Sequence, residues 1–462
     1  MSNGGKLFVA VLAAAGAILT YQLFIPPIVG LADQGDFVRT IGPFGYGPQH
    51  RGSLMYAYVE PKFVPDPHFR APYWEQANSE YLFVGAALLL NKLVSKDGAL
   101  DITVAGTVHV LAFLAVFARL LWVTRRARAY PILWIGGLLA LTDAGYAVYW
   151  NSWYAEPASC IFCLLLLAEA VEIAKAGETG MASILRWSLW AVLWVFAKPQ
   201  NAPIGLILGL FTLRLAMWTG SKPARVAAAV GACAMFACAA YNVLAMPVYG
   251  RQANTYGVVF AGILGDSKSP EADLRALGLD PQLAKYAGTG AWTPGTYYPQ
   301  MAASGVLKRV NTLTVLGFYL LRPARMWRRL HGLLPIITFL RRDWYGNFEP
   351  SAGLPPAAQS RAFTLWSAFH ERMLPHVNKW IVFALAGWPL LAAWRWVRER
   401  DIVRRRRIEL LALLPICCLA ALFSAVYGDA FDVIKHMYLF NVLLDVCLLY
   451  AVTVSASRLA GL

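Results

Sequence analysis

The sequence predicts an all-α, polytopic integral membrane protein of about ten transmembrane helices carrying an extracytoplasmic helical insertion. Three observations carry that expectation. Of 462 residues, 58% are hydrophobic and only 15% charged, against about 45–50% and about 25% in ordinary soluble domains. The mean hydropathy is +0.50, more apolar side chain than one water-facing surface can hide, which excludes a soluble enzyme. Apolar runs near the length that crosses a bilayer, roughly 20 residues, recur along the chain with Arg and Lys gathered at alternate connections.

The first run, 7–30, follows a lone Lys6 and holds Ala13-Ala14-Ala15-Gly16 in its middle. A signal peptide has a shorter apolar core with small residues just after it. The run therefore reads as an uncleaved first span with its N-terminus in the cytoplasm. Further spans are expected at 102–123, 131–150, 158–174, 184–197, 204–213, 226–246, 380–397, 408–427 and 437–456. In this threading Arg125, Arg126 and Arg128, Lys175 and Arg186, Arg214, Lys222 and Arg225, the group Arg395, Arg398, Arg400 and Arg404 to Arg407, and Arg458 all share the side of Lys6. That sidedness is the positive-inside rule, and it places both termini in the cytoplasm.

Two segments are ambiguous. Tyr81–Val94 is apolar but short, nearer to an interfacial or re-entrant helix than to a span. Lys198-Pro199-Gln200-Asn201-Ala202-Pro203 splits 184–213, whose outer flanks are both basic, so a hairpin of two short helices fits better than one long helix.

Three polar regions then face outward: 31–80, the turn 151–157, and an insertion at 247–379. The chain divides accordingly into an N-terminal module 1–246 with spans one to seven and the outer loop 31–80, the insertion 247–379, and a C-terminal module 380–462 with spans eight to ten. Inside the insertion, 271–279 is expected to form a short helix stopping near Gly278, and 311–322, followed by Arg325, Trp327, Arg328 and Arg329, a basic aromatic helix at the membrane surface.

The formal net charge is +15. In a soluble protein this would suggest nucleic acid; here it first reflects cytoplasmic loops, and nucleic acid is not expected as a partner. The insertion nevertheless carries 15 Lys plus Arg and 7 Asp plus Glu, an excess that orientation does not explain. Either it is a solvated surface or it attracts lipid phosphates or phosphorylated glycans. The seven cysteines all lie in apolar stretches, so Cys160-x-x-Cys163 reads as two small packing residues rather than a redox or metal pair.

Candidate chemistry collects on the outer face. Asp33-Gln34-Gly35-Asp36-Phe37-Val38-Arg39 follows span one, and a carboxylate at the edge of hydrocarbon suits a general base. The alternative is a helix cap made by Asp33 with Asp36 at the first-turn amides. In Asn151-Ser152-Trp153-Tyr154-Ala155-Glu156-Pro157, an acid among aromatics suits a sugar platform, or else caps the next helix. Lys198, beside Gln200 and Asn201, calls for an anionic partner such as a lipid phosphate, or else snorkels. Gly428-Asp429-Ala430-Phe431-Asp432-Val433-Ile434-Lys435-His436 adds acids, Lys435 and His436. Asp143, Glu169, Glu172 and Asp445, inside spans, are helix-packing groups or members of a proton relay. No Gly-rich nucleotide loop appears on the cytoplasmic side.

With these motifs the chain resembles the GT-C superfamily of polytopic membrane glycosyltransferases, and more narrowly the WsfD-like bacterial surface-glycan hexosyltransferases. Phe260-Ala261-Gly262-Ile263-Leu264, Trp344-Tyr345-Gly346-Asn347-Phe348 and Lys435-His436-Met437-Tyr438-Leu439-Phe440-Asn441 extend the likeness. The resemblance implies a GT-C-like fold, a polyprenyl-phosphate hexose donor, and a surface-glycan or lipid-linked acceptor outside the cytoplasm. It further implies inverting transfer with Asp36 or Asp33 as base. Glu156 and Tyr154 would shape the site, Lys198 would hold lipid phosphate, and Gln200, Arg39, Lys435 and His436 would contact substrate. A divalent metal stays open, since some GT-C members bind one and others do not. The competing readings are a flippase for a lipid-linked glycan, for which no internal repeat is found, and an inactive subunit of a glycan assembly complex.

Overall fold

The computed structural model describes residues 3–69, 75, 77–127, 129–176, 179–308 and 310–459. Helices dominate it. The first half holds α1 (Asn3–Phe24), α2 (Tyr81–Val94), α3 (Ile102–Thr124), α4 (Tyr130–Leu141), α5 (Ala144–Ala147), α6 (Glu156–Ala176), α7 (Met181–Phe196), α8 (Ala202–Ala216) and α9 (Lys222–Leu244). The insertion holds α10 (Val248–Tyr256), α11 (Pro270–Ala276), α12 (Tyr298–Ser304), α13 (Thr312–Leu320), α14 (Pro323–Leu333) and α15 (Leu365–Arg372). The last part holds α16 (Asn378–Arg398), α17 (Ile402–Gly428), α18 (Val433–His436) and α19 (Tyr438–Leu459). Among the described residues α1, α3, α6, α9, α16, α17 and α19 are long and apolar enough to cross a membrane.

The expected hairpin of short helices is α7 and α8, and the helix expected at 271–279 is α11, closed by Gly278 at φ +71°. Three expectations change. Span one ends at Phe24, just before Ile25-Pro26-Pro27, because proline removes a helix donor and crowds the preceding turn. The run 131–150 stops at Leu141: Asp143 turns out of the helix, accepts the Gly145 N–H at 2.8 Å, and restarts the chain as α5. The basic helix 311–322 divides at Pro323, since the residue before proline avoids the helical region and Arg322 sits at φ −134°, ψ 67°. A small antiparallel sheet is added to the helical plan. Its strands are β1 (Tyr46–Pro48), β2 (Lys62–Pro65) and β3 (Leu100–Asp101), and it fastens the outer loop to the start of α3. Arg128 lies outside the described residues.

The spans pack through α1 with α3, α3 with α6, α6 with α7, α7 and α8 with α9, and α17 with α16 and α19. The acids inside them have partners. At one end Arg186 grips Glu169 at 2.8 Å and Arg119 grips Glu172 at 2.8 Å. At the same end Arg214 forks onto Glu409 at 2.8 Å. Asp445 takes Tyr146 at 2.7 Å, Trp366 at 2.9 Å and His370 at 2.7 Å, and Asp143 takes the Trp366 and Ser367 N–H groups at 2.8 and 3.0 Å. Those two acids clamp α15 onto α5 and α19. The insertion has its own apolar core around Tyr256, Phe260, Leu274, Met301 and Phe318, while Leu330, Ile337, Leu340 and Tyr345 join the core of the spans.

At the other end of the molecule the segment 344–348 threads between two stretches of the first outer loop. Gly346 N–H donates to Tyr56 O at 2.8 Å, Ala32 N–H to Gly346 O at 3.0 Å, Gly30 N–H to Asn347 O at 2.9 Å and Val59 N–H to Phe348 O at 2.9 Å. At Gly346 a Cβ would collide with the Ala57 carbonyl, a backbone group that cannot swing aside. Gly346→Val is expected to cost about 3 kcal/mol or more through this overpacking. The purified variant should show a much lower Tm; a Tm equal to that of the unsubstituted protein would show that the crossing is not tight.

Candidate active site

The C-terminal end of α1 and the N-terminal ends of α6, α8 and α19 bring the loops that follow or precede them into one cluster. Gly35 makes the first of these loops compact: its φ of +103°, open to glycine at low cost, folds the chain so that Asp33 Oδ1 accepts the N–H groups of Gly35 at 2.7 Å and Phe37 at 3.2 Å. Asp33 is 9% exposed. Burial pushes its carboxyl up to about 6, the Asp36 charge adding to the rise and the two backbone bonds opposing it. The next helical turn, Phe37–Arg39, has Asp36 and not Asp33 at its cap position, and the bonds of Asp33 instead close the loop that leads into it.

Asp36 faces the other way and is 23% exposed. Its Oδ1 meets Arg39 at 3.1 Å; its Oδ2 takes the Gln34 amide at 2.8 Å and the Lys435 ammonium. Burial works against ionisation, but Arg39 and Lys435 outweigh it and hold the carboxyl well below its usual range. The Lys435 side chain is 2% exposed and lies 4.9 Å from the Tyr154 ring centre. Burial alone would strip its proton; the charges of Asp36, Asp432 and Glu156 reverse this and raise its pKa.

A second tier holds these groups. The Tyr345 hydroxyl lies between the Gln34 carbonyl and Asp432 and donates its one proton to Asp432 at 2.5 Å, and Arg342 donates to Asp432 at 3.0 Å while lying 4.3 Å from the Trp344 ring centre. Tyr154 accepts the Gln34 N–H at 3.0 Å and donates to Ala32 O at 2.9 Å. Lys198 is ion-paired with buried Glu156 at 2.5 Å. Gln200 donates to His436 O at 2.5 Å and its Oε1 meets His436 Nδ1 at 3.2 Å, while His436 Nε2 meets Asp429 at 2.9 Å. All nine residues expected at the site therefore gather at this end. Glu156 occupies the first turn of α6, the favourable end for a negative charge. The neighbouring N–H of Ala158 is capped at 3.0 Å by Glu80, which is itself held by His109 at 2.5 Å.

Sequence reasoning did not single out Gln34, Arg342, Tyr345 or Asp432. All stand inside quoted motifs or next to one, and Asp432 is three residues before Lys435, a spacing that would have marked it as a helix-adjacent partner. Among the described residues no three His, Cys, Asp or Glu side chains converge as a metal site.

The arrangement presents a partly exposed, ionised carboxylate next to cations at the edge of the apolar core. Its pH dependence follows from Asp33. With a folded value of about 6 against 3.8, Asp33 contributes stability while protonated, and loses it as pH rises through that value. Asp33→Asn keeps an acceptor for both amides and removes the charge. Its Tm should match the unsubstituted protein near pH 4 and exceed it at pH 8; an equal shift at both would contradict this.

The family described as YfdI N-terminal transmembrane domain matches residues 3–459, and the chain belongs to it. It is a multi-pass membrane protein. No curated protein matches the chain. Two solved structures are similar to it, both of oligosaccharyltransferase from Archaeoglobus fulgidus. One is archaeal AglB in complex with an inhibitory peptide and a dolichol-phosphate (15% identity, TM-score 0.39), the other the apo form (13% identity, TM-score 0.43). Each match covers 98% of this chain and 51% of the other, so the chain spans about half their length.

Proposed function

We propose that this member of the YfdI N-terminal transmembrane domain family is a GT-C-type glycosyltransferase that moves a hexose from a polyprenyl-phosphate donor to a glycan or lipid-linked acceptor, with inversion. The observation that carries the reading is the Asp36, Arg39 and Lys435 cluster at the membrane edge: a carboxylate and two cations drawn from opposite ends of the chain. The likeness of the outer motifs to the WsfD-like hexosyltransferases agrees with it.

In this reading the acceptor hydroxyl attacks the anomeric carbon from the face opposite the phosphate, Asp36 takes the hydroxyl proton, and the C–O bond to phosphate breaks with its electron pair on the leaving polyprenyl phosphate. The leaving group is already an anion, so cations matter more than a general acid. Arg39 and Lys435 supply them, while Lys198, held by Glu156, shapes the adjoining wall. Asp36 is preferred to Asp33 as base because it is the more exposed, whereas Asp33 is buried with one oxygen holding two backbone amides. The orientation follows the basic clusters: both termini and the Arg-rich ends of the spans lie on the cytoplasmic side of a bacterial inner membrane, and the site lies outside. The module boundaries at 246–247 and 379–380 belong to the same proposal.

Purified protein supplied with polyprenyl-phosphate hexose and candidate acceptors should release polyprenyl phosphate. Asp36→Ala should lower that turnover by about 100-fold or more, the usual worth of a general base, measured on protein that still runs as a monodisperse peak although the loss of a Lys435 counter-charge lowers its Tm. Silence of the unsubstituted protein with every donor would favour a flippase or an inactive subunit, and near-normal turnover of Asp36→Ala would remove Asp36 as base.

A further inference from the structure

The groups that would handle the proton and the phosphate are bound to each other. Asp36 Oδ1 holds Arg39 at 3.1 Å, and Oδ2 holds the Lys435 ammonium. A carboxylate whose charge is spent on two cations is a weak proton acceptor, and cations spent on a carboxylate are weak hosts for a phosphate. One exchange relieves both. We propose that the phosphate group of the lipid substrate competes with Asp36 for Arg39 and Lys435, so that binding of the donor releases the base.

The surroundings suit such an exchange. The Arg39 side chain is 39% exposed and free to turn toward a ligand, whereas Lys435 is buried and fixed among Asp36, Asp432, Glu156 and the Tyr154 ring. Asp432 cannot take over the vacated place next to Lys435, because Arg342 and Tyr345 occupy its two oxygens. Asp33 is turned away onto the amides of Gly35 and Phe37. Gln34 remains beside Asp36, its amide donating to the carboxylate at 2.8 Å, and keeps the freed carboxylate in position. The exchange also favours bond cleavage: a phosphodiester carries one negative charge and a released monoester about −1.5 to −2, so the same cations hold the product more strongly than the donor.

The role of Asp36 as base rests on the transferase reading, but the competition is a binding property of the resting protein and is measured without sugar chemistry. Equilibrium binding of polyprenyl phosphate to purified protein in nanodiscs of zwitterionic lipid is the probe. Asp36→Asn keeps the size of the side chain and an oxygen for Gln34 while dropping the competing charge. Its affinity should rise about tenfold, within the usual range of coupling between neighbouring sites. Arg39→Ala, at a half-exposed position, should weaken binding by about tenfold on the same scale. Unchanged or weaker binding in Asp36→Asn overturns the exchange. Should that variant fail to run as a monodisperse peak, unchanged binding in Arg39→Ala does so. Inorganic phosphate in empty nanodiscs separates the headgroup from the lipid: a gain for both ligands supports the proposal, and a gain for inorganic phosphate alone overturns its assignment to a lipid. Tightened binding without sugar transfer would count against the transferase reading and leave the competition standing.

Discussion

A buried ammonium governs the end of this molecule that holds the candidate site. Lys435 is almost fully removed from water, and an uncompensated charge there would be expensive enough to drive the lysine to its neutral form. It is kept charged by carboxylates from three separate parts of the chain: Asp36 after the first span, Glu156 at the start of α6, and Asp432 one turn away. Each of these is in turn tied down, by Arg39 and Gln34, by Lys198, and by Arg342 and Tyr345. The electrostatic requirement of one side chain thus sets the mutual position of the first outer loop, the turn before α6, the α7–α8 hairpin and the last outer turn.

Much of this is legible in the sequence itself. Charge sidedness alone assigned Asp33, Asp36, Glu156, Lys198 and Lys435 to a common face, because loop placement in a membrane protein is a counting problem. The pairing within that face was not legible. The sequence calls for an anionic partner for Lys198, such as a lipid phosphate, and in the fold that partner is Glu156, 42 positions earlier in the chain. Tyr345 and Asp432 became visible as site residues only when folding brought 344–348 between two strips of the first loop. Such contacts depend on tertiary approach and leave no local period in the sequence. The break at Asp143 was hidden for a related reason: the run 131–150 is apolar enough to continue, and what stops it is a hydrogen bond to α15, more than 200 residues away.

The net charge also separates into distinct jobs. At the end opposite the site, Arg119, Arg186 and Arg214 bind Glu169, Glu172 and Glu409 and fasten helices to one another. In the insertion, Arg325 and Arg329 neutralise Asp273 and Asp266 inside its fold. Each of these pairs joins one base to one acid and so leaves the insertion's excess untouched, while the cations beside Asp36, Arg39 and Lys435, stand outside the insertion.

The crossing of 344–348 through the first outer loop bears on the order in which the molecule can be made. Residues 30–59 leave the membrane early in synthesis, yet their backbone partners lie some 300 positions later and the counter-charge of Asp36 almost 400 later. A ribosome must therefore deliver nearly the whole chain before this face can close, and a nascent chain arrested before the final helices holds every span of its N-terminal half but no assembled site.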